Sequence, residues 1–199
     1  MLDLLISYPA LVAVIWAAMY AFDYLSTLWL VRAYETTLTR YLSYEHGIEL
    51  NPTLEKAIAG RRPPGLKIWV ALVLVFVIIL FSNLLGYFFT ELVAGALLLT
   101  WCFVNSRHLR NYSYVWFLRR RPDALKGRQE LSYWFMQKTL SADALTFSLL
   151  YLFLALLTFR VFFLAGTLTC LALAIRAYRL ANRKFPAPVG QAQQARIDK

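Results

Sequence analysis

Acidic residues inside long apolar stretches are the residues of this chain most able to do chemistry. Asp23 is the only charged residue among residues 4–31. A charge at the middle of a bilayer costs about 2.5–3.5 kcal/mol on insertion scales, so such a residue is a functional candidate by default. Ser26 and Thr27 follow Asp23 after about one helical turn and extend the same polar stripe. The stripe predicts either a proton or cation site or, as the favoured interpretation, a packing interaction in which Lys67 is the partner of Asp23.

Two further charges of opposite sign stand alone in apolar sequence. Glu91 is the only charged residue among residues 68–106, and Arg160 is the only one among residues 144–175. Each lies close to the point where its stretch is expected to turn at the outer face of the membrane. Because an unpaired charge in a span is costly, we predict that Glu91 and Arg160 form a structural ion pair at that face.

Possible metal ligands gather after the first apolar stretch. His46 and Glu49 are three residues apart, and a metal site could be drawn from them together with Asp23 and His108. The sequence lacks the paired Glu-x-x-His and the His-Glu-x-x-His patterns of established metal centres. We therefore predict a hydrogen-bonded loop here, with no metal and no cofactor.

The composition indicates which elements position these residues. Of the 199 residues, 60% are hydrophobic and 16% are charged, whereas soluble domains have about 45–50% apolar and about 25% charged residues. The hydrophobic residues form long blocks, and a helix of about 20 such residues crosses the hydrocarbon core. This pattern excludes an ordinary soluble domain and predicts an all-α integral membrane protein.

The blocks predict five transmembrane helices, with four as the alternative. Residues 68–106 and 144–175 are each too long for one crossing, so we interpret each as a hairpin. Five crossings place 20 of the 21 basic residues on one side, which the positive-inside rule assigns to the cytoplasm. The expected location is the cytoplasmic (inner) membrane, with the N-terminus outside and the C-terminus in the cytoplasm. The predicted single domain is 1–184, with spans at 7–31, 68–85, 87–106, 141–159 and 161–180.

The segments between the spans carry most of the cations. Residues 32–67 and 107–140 are predicted to be cytoplasmic loops with short interfacial helices, one of them at 52–59, and 185–199 to be a flexible tail. Arginines interleaved with aromatic rings favour the lipid headgroup layer, including anionic headgroups. The net charge of +10 is therefore attributed to lipid contact and not to nucleic acid. The expected interfacial lipid contacts are Trp116, Arg119, Arg120, Arg121 and Trp134.

A short motif runs from the first predicted helix into the second. It consists of an Asp and a Thr four residues apart, then Glu-x-Asn-Pro, then a Lys. The residues that carry it are Asp23, Thr27, Glu49, Asn51 and Lys67. Over its first 90 residues the chain resembles a family of small uncharacterised prokaryotic multi-pass membrane proteins, although its loop at 33–48 is longer than in that family. The resemblance implies a membrane protein without a known activity, in which these polar residues act together.

Three functions fit these observations. The favoured one is a non-enzymatic subunit that self-associates or joins a larger membrane complex, because no catalytic motif is found and Gly86, Thr90 and Ala94 allow close helix approach. The second is a small ion or solute transporter with an inward-facing site at Asp23. The third is an intramembrane enzyme that acts on a lipid or isoprenoid at the cytoplasmic face through His46, Glu49, Arg107 and His108.

Overall fold

The computed structural model describes residues 2–37, 39, 41–44, 66–121, 123 and 129–184. Long helices dominate these residues, and two three-residue strands accompany them. The helices are α1 (Leu2–Ser7), α2 (Pro9–Thr36), α3 (Leu66–Leu84), α4 (Tyr87–Arg120), α5 (Tyr133–Thr158) and α6 (Val161–Lys184). The strands are β1 (Leu42–Tyr44) and β2 (Gln129–Leu131), which pair in parallel.

Helix length and hydropathy confirm the prediction of an all-α, multi-pass membrane protein. Among the described residues, α2, α4, α5 and α6 are long and apolar enough to cross a membrane. The 19 residues of α3 form a fifth apolar helix. At 1.5 Å per residue α3 is about 28 Å long, close to the thickness of the hydrocarbon core. That all five helices cross the membrane stays a prediction.

Both predicted hairpin turns are present, and both depend on left-handed backbone. Gly86 separates α3 from α4 with φ 106°, a conformation that glycine adopts without strain. Phe159 ends α5 with φ 53°, and its N–H donates to the Ala155 carbonyl at 2.8 Å. A left-handed residue that returns its N–H to the last turn is a common helix ending, although glycine is its usual occupant.

The predicted loop at 107–140 is wrong over most of its length. The fourth helix continues to Arg120, and the fifth begins at Tyr133. Arginine and leucine favour helix, so the charged residues after 106 extend α4 beyond its apolar part instead of ending it.

The predicted start of the fourth span is also wrong. Ser132 caps α5, since its hydroxyl accepts a hydrogen bond from the Phe135 N–H at 3.2 Å. Ser141, the first residue of the span predicted at 141–159, lies inside α5 and donates to the Ala174 carbonyl of α6 at 2.9 Å. The first long helix begins at Pro9, two residues later than expected, because proline suits the first position of a helix.

The fourth helix is the centre of the bundle and packs against α2, α3 and α6. Contacts between α2 and α4 advance in the same chain direction, from the Tyr20–Trp101 ring pair to the Trp29–Tyr112 ring pair. These two helices are therefore parallel neighbours. The fifth helix runs antiparallel to α4, with the Tyr151 hydroxyl donating to the Leu99 carbonyl at 3.0 Å.

Small residues bring α4 and α6 close together. A Cβ added to Gly95 would lie 2.0 Å from the Phe162 carbonyl oxygen, so only glycine fits this crossing. The expected small-residue face is part of the same contact, since Thr90 and Ala94 are both buried. Close backbone approach of this kind is how helices associate where no hydrophobic effect drives them together.

Candidate functional site

Asp23 and His108 form a polar contact between α2 and α4. The His108 Nε2 lies 2.6 Å from the Asp23 Oδ1, and the side chains are 13% and 14% exposed, respectively. The parallel packing of the two helices places a carboxylate and an imidazole at the same level. A carboxylate and an imidazole at this distance can share a hydrogen bond, so binding and transfer of a proton is the chemistry that the geometry supports.

Several polar atoms accompany the pair along the same helix faces. The Thr27 hydroxyl donates to the Asp23 carbonyl at 3.0 Å, and the Asn105 amide donates to the Met19 carbonyl at 3.4 Å. Within the described part of the chain, eight buried side-chain atoms have no hydrogen-bond partner, which is costly in an apolar surrounding. Three of these eight atoms are the Ser26 Oγ, the Asn105 Oδ1 and the His108 Nδ1.

A second ionic contact lies one turn away on α4. The Arg110 Nη1 is 2.9 Å from the Asp143 carboxylate, and the Arg107 Nε is 3.5 Å from the Asp143 Oδ2. Two guanidinium groups therefore share one carboxylate and link α4 to α5. We call this level of the bundle the polar layer; its members are Asp23, Asn105, Arg107, His108, Arg110 and Asp143.

The opposite end of the bundle is closed by a cluster around Arg160. Its Nε donates to the Glu91 Oε1 at 2.7 Å, its Nη1 donates to the Asp3 Oδ1 at 2.7 Å, and its Nη2 donates to the Tyr87 hydroxyl at 2.7 Å. The Tyr87 hydroxyl also donates to the Asp3 Oδ1 at 2.6 Å. The Arg160 cluster (Asp3, Tyr87, Glu91 and Arg160) therefore joins α1, α4 and the turn between α5 and α6.

Electrostatics within the Arg160 cluster favour the charged forms of Arg160 and Asp3. The hydrogen bond to Glu91, followed by the one to Asp3, raises the pKa of Arg160 above its ordinary value. The hydrogen bond from Tyr87, followed by the one from Arg160, lowers the pKa of Asp3. Glu91 is 5% exposed, so its charge depends on Arg160 for compensation. The ion pair expected from the sequence, Glu91 with Arg160, is thus present in the structure.

The structure brings some of the predicted site residues together. Asp23 contacts His108, while Thr27 contributes through the backbone of Asp23. The partner expected for Asp23 was Lys67, whose backbone begins α3 but whose side chain lies outside what the structure describes. His46, Glu49, Asn51, the helix predicted at 52–59 and the tail at 185–199 also lie outside the described residues.

Two members of the polar layer were not identified as ligands or ion partners from the sequence. Asp143 lies in the span predicted at 141–159, and Arg110 lies in the loop predicted at 107–140. The spacing of Arg107 and Arg110, one turn apart, is the only signal that could have indicated a shared carboxylate. That signal is visible only once this part of the chain is known to be helical.

Cations at the polar-layer end stack on aromatic rings. The Arg120 guanidinium lies 3.9 Å from the centroid of the Trp116 ring, and the Lys138 Nζ lies 3.5 Å from that of Tyr178. Arg119 lies 5.8 Å from the Trp29 ring. Arg121, Trp116 and Trp134 are exposed, as an interfacial role requires. Lipid contact by these residues stays a prediction.

Metal binding has little support in the described part of the chain, where no group of three or more His, Cys, Asp or Glu residues is placed to hold an ion. The weak candidates His46 and Glu49 are outside it.

Comparison with known proteins gives no match. No family model, curated protein or solved structure matches the chain. The resemblance to the small prokaryotic membrane proteins therefore stays an expectation drawn from the sequence.

Proposed function

We propose that this chain is a non-enzymatic subunit of a membrane complex, associating with itself or with other membrane subunits in a cytoplasmic (inner) membrane. The observation that carries the proposal is that three carboxylates of its long helices contact basic side chains of the same chain. Asp23 contacts His108, Glu91 contacts Arg160, and Asp143 contacts Arg110. Two of these contacts join different helices, and the contact of Glu91 joins α4 to the turn between α5 and α6. This is the expected arrangement for polar groups that hold a bundle together.

The third helix supplies a surface for association. Of its described side chains, Ile79 and Ser82 are buried, and large apolar residues are exposed around most of the helix. They include Trp69, Val73, Phe76, Val77, Leu80 and Phe81. Helices in lipid associate through van der Waals packing, so a peripheral apolar helix can be covered either by lipid or by a second protein helix. The proposal assigns α3 to contact with another subunit.

Cysteine cross-linking tests this assignment. In a chain with Cys102 and Cys170 replaced by Ala, Val77→Cys places a thiol on α3 at a position that is 52% exposed. Leu149→Cys places one on α5 at a position that is 58% exposed and serves as the matched control. Oxidation of native membranes is expected to give a cross-linked product from Val77→Cys but not from Leu149→Cys. Equal cross-linking at both positions contradicts the assignment of α3.

Purification tests the subunit proposal itself. In a mild detergent the chain is expected to migrate as a homo-oligomer or with other membrane proteins, and Asp23→Asn is expected to preserve this assembly because asparagine can still hydrogen-bond to His108. A lone monomer of 23.0 kDa that brings nothing with it contradicts the proposal.

The Asp23–His108 contact favours a second candidate, a small proton-coupled transporter. A carboxylate 2.6 Å from an imidazole inside an apolar bundle is the kind of pair from which proton relays are built. In proteoliposomes this function predicts proton flux that is lost in both Asp23→Asn and His108→Gln, with Asp3→Asn as a control outside the pair. Absence of flux under an imposed pH gradient and membrane potential contradicts it.

A further inference from the structure

We infer that α6 carries a binding site for one anionic phospholipid, with the headgroup phosphate on Arg176 and Arg179. The two arginines are three residues apart and therefore project from the same side of the helix, about one turn from each other. Together with Ala172, Ile175 and Leu180 they line a surface groove with a volume of about 480 Å³. The groove combines two cationic groups with an apolar floor, which is the chemistry of a phosphodiester attached to acyl chains.

The arginines of this groove differ from the three arginines that form ion pairs within the bundle. Arg107 and Arg110 share the Asp143 carboxylate, and Arg160 has three side-chain partners. Over the ranges that the structure describes, neither Arg176 nor Arg179 has an ion-pair or hydrogen-bond partner, and both are exposed. Two guanidinium groups at this separation can donate several hydrogen bonds to one phosphate, a geometry that arginine serves better than lysine.

The depth of the groove matches the headgroup level. Arg160 marks one end of the bundle, and Arg176 lies about 24 Å further along α6 at 1.5 Å per residue, with Arg179 another turn beyond. A hydrocarbon core of about 30 Å therefore places the guanidinium groups near the opposite lipid–water boundary. This is also the level at which Arg120 and Lys138 stack on aromatic rings.

An apolar track for the acyl chains runs along α6 below the arginines. Leu164, Leu168, Leu171 and Ile175 recur at helical spacing and are all exposed. Ala172 is small and leaves room at the base of the groove directly below Arg176. A lipid whose phosphate binds the arginines can therefore lay one chain against this row, and the combined contact distinguishes it from free phosphate.

Native mass spectrometry of the full chain in detergent tests the site. The chain is titrated with dioleoylphosphatidylglycerol or, separately, with dioleoylphosphatidylcholine, and the first bound lipid is counted. We expect the anionic lipid to bind more tightly than the zwitterionic one, and Arg176→Gln with Arg179→Gln to weaken its binding on the order of twentyfold. The double variant Arg32→Gln with Arg196→Gln removes the same charge from two arginines that are not among the expected lipid contacts, and it is expected to retain tight binding.

Each other outcome decides against the inference. Equal loss in both double variants shows a diffuse charge effect without a site, and unchanged binding in the Arg176 and Arg179 variant shows that the lipid binds elsewhere. Displacement of the lipid by millimolar inorganic phosphate shows an anion site that does not use the acyl chains. Circular dichroism and gel filtration of both double variants establish that they are folded, which is expected because Arg32, Arg176 and Arg179 are exposed.

Discussion

The carboxylate of Glu91 is almost completely buried, and the guanidinium of Arg160 is its compensating charge. The Phe162 N–H also points to the same carboxylate oxygen at 3.4 Å, so the start of α6 is tied to α4 at this residue. Removal of one member of such a pair leaves the other unsatisfied, which costs more than the pair contributes to stability.

Glu91→Ala is therefore expected to destabilise the bundle by about 1–3 kcal/mol, less than the 3–5 kcal/mol typical of a fully buried pair. Arg160 retains Asp3 and Tyr87 as partners, which limits the loss. Unfolding in a mixed detergent series measures the effect. Asp3→Asn is the matched control, because Asp3 is 72% exposed and its replacement should matter less. An equal effect of the two substitutions would contradict this account.

Asp3 also gives the Arg160 cluster a pH dependence. Its pKa is lowered in the folded chain, so the stability that it contributes is present above its ordinary pKa of 3.8 and is lost as the pH falls through the lowered value. Tyr87→Phe removes the largest cause of the shift and is expected to raise the pKa of Asp3 toward its ordinary value. NMR titration of a carboxyl-labelled Asp3 measures this shift. A pKa that stays unchanged in the variant rules out the Tyr87 hydrogen bond as the cause.

At this scale the sequence predicted one ionic contact and not the others. Glu91 and Arg160 could be paired because each is the only charged residue in its apolar stretch and both are expected near a turn at the same face of the membrane. To predict the contact of Asp23 with His108, one would need to know how α2 and α4 are placed relative to each other along their axes. These two helices are not consecutive in the chain. That placement is set by side-chain packing, which no local pattern of residues specifies.

At the scale of the elements, the contact between α4 and α6 depends on two glycines that differ in how well they would tolerate an added side chain. A Cβ at Gly95 meets the backbone of Phe162, whereas a Cβ at Gly166 meets the side chain of Leu99 at 2.4 Å. Backbone can yield only by moving a helix, while a leucine can change rotamer.

Gly95→Ala is therefore expected to destabilise the bundle by about 2 kcal/mol or more, which equals or exceeds the usual cost of overpacking. Gly166→Ala is expected to cost less. Thermal unfolding of the two variants in the same detergent compares them, and a larger loss for Gly166→Ala would show that the α4–α6 approach is described wrongly.

The apolar parts of the helices were predictable from hydropathy. The parts of the helices that extend into charged sequence were not. The turns at Gly86 and Phe159 fell where two long blocks had to be divided. The C-terminal end of α4 and the N-terminal start of α5 lie in amphipathic, positively charged sequence that is compatible with either helix or loop. In that sequence the choice depends on packing such as the Leu118 and Val115 contacts with Leu30 of α2.

At the scale of the whole molecule, the five long helices and their cations predict one orientation. A reporter that is active only in the cytoplasm is expected to give signal when fused after Lys199, and no signal when fused before Met1. The reason is that five crossings put nearly all Lys and Arg on the side of the C-terminus. Signal at both ends would require an even number of crossings and would overturn the topology.

The length of α4 has a practical consequence for the molecule. Its 34 residues extend about 51 Å, some 20 Å more than the hydrocarbon core. We expect the turns beyond the core to remain outside a detergent belt. These turns offer a rigid surface against which an antibody fragment can be raised and through which molecules can contact each other in a crystal.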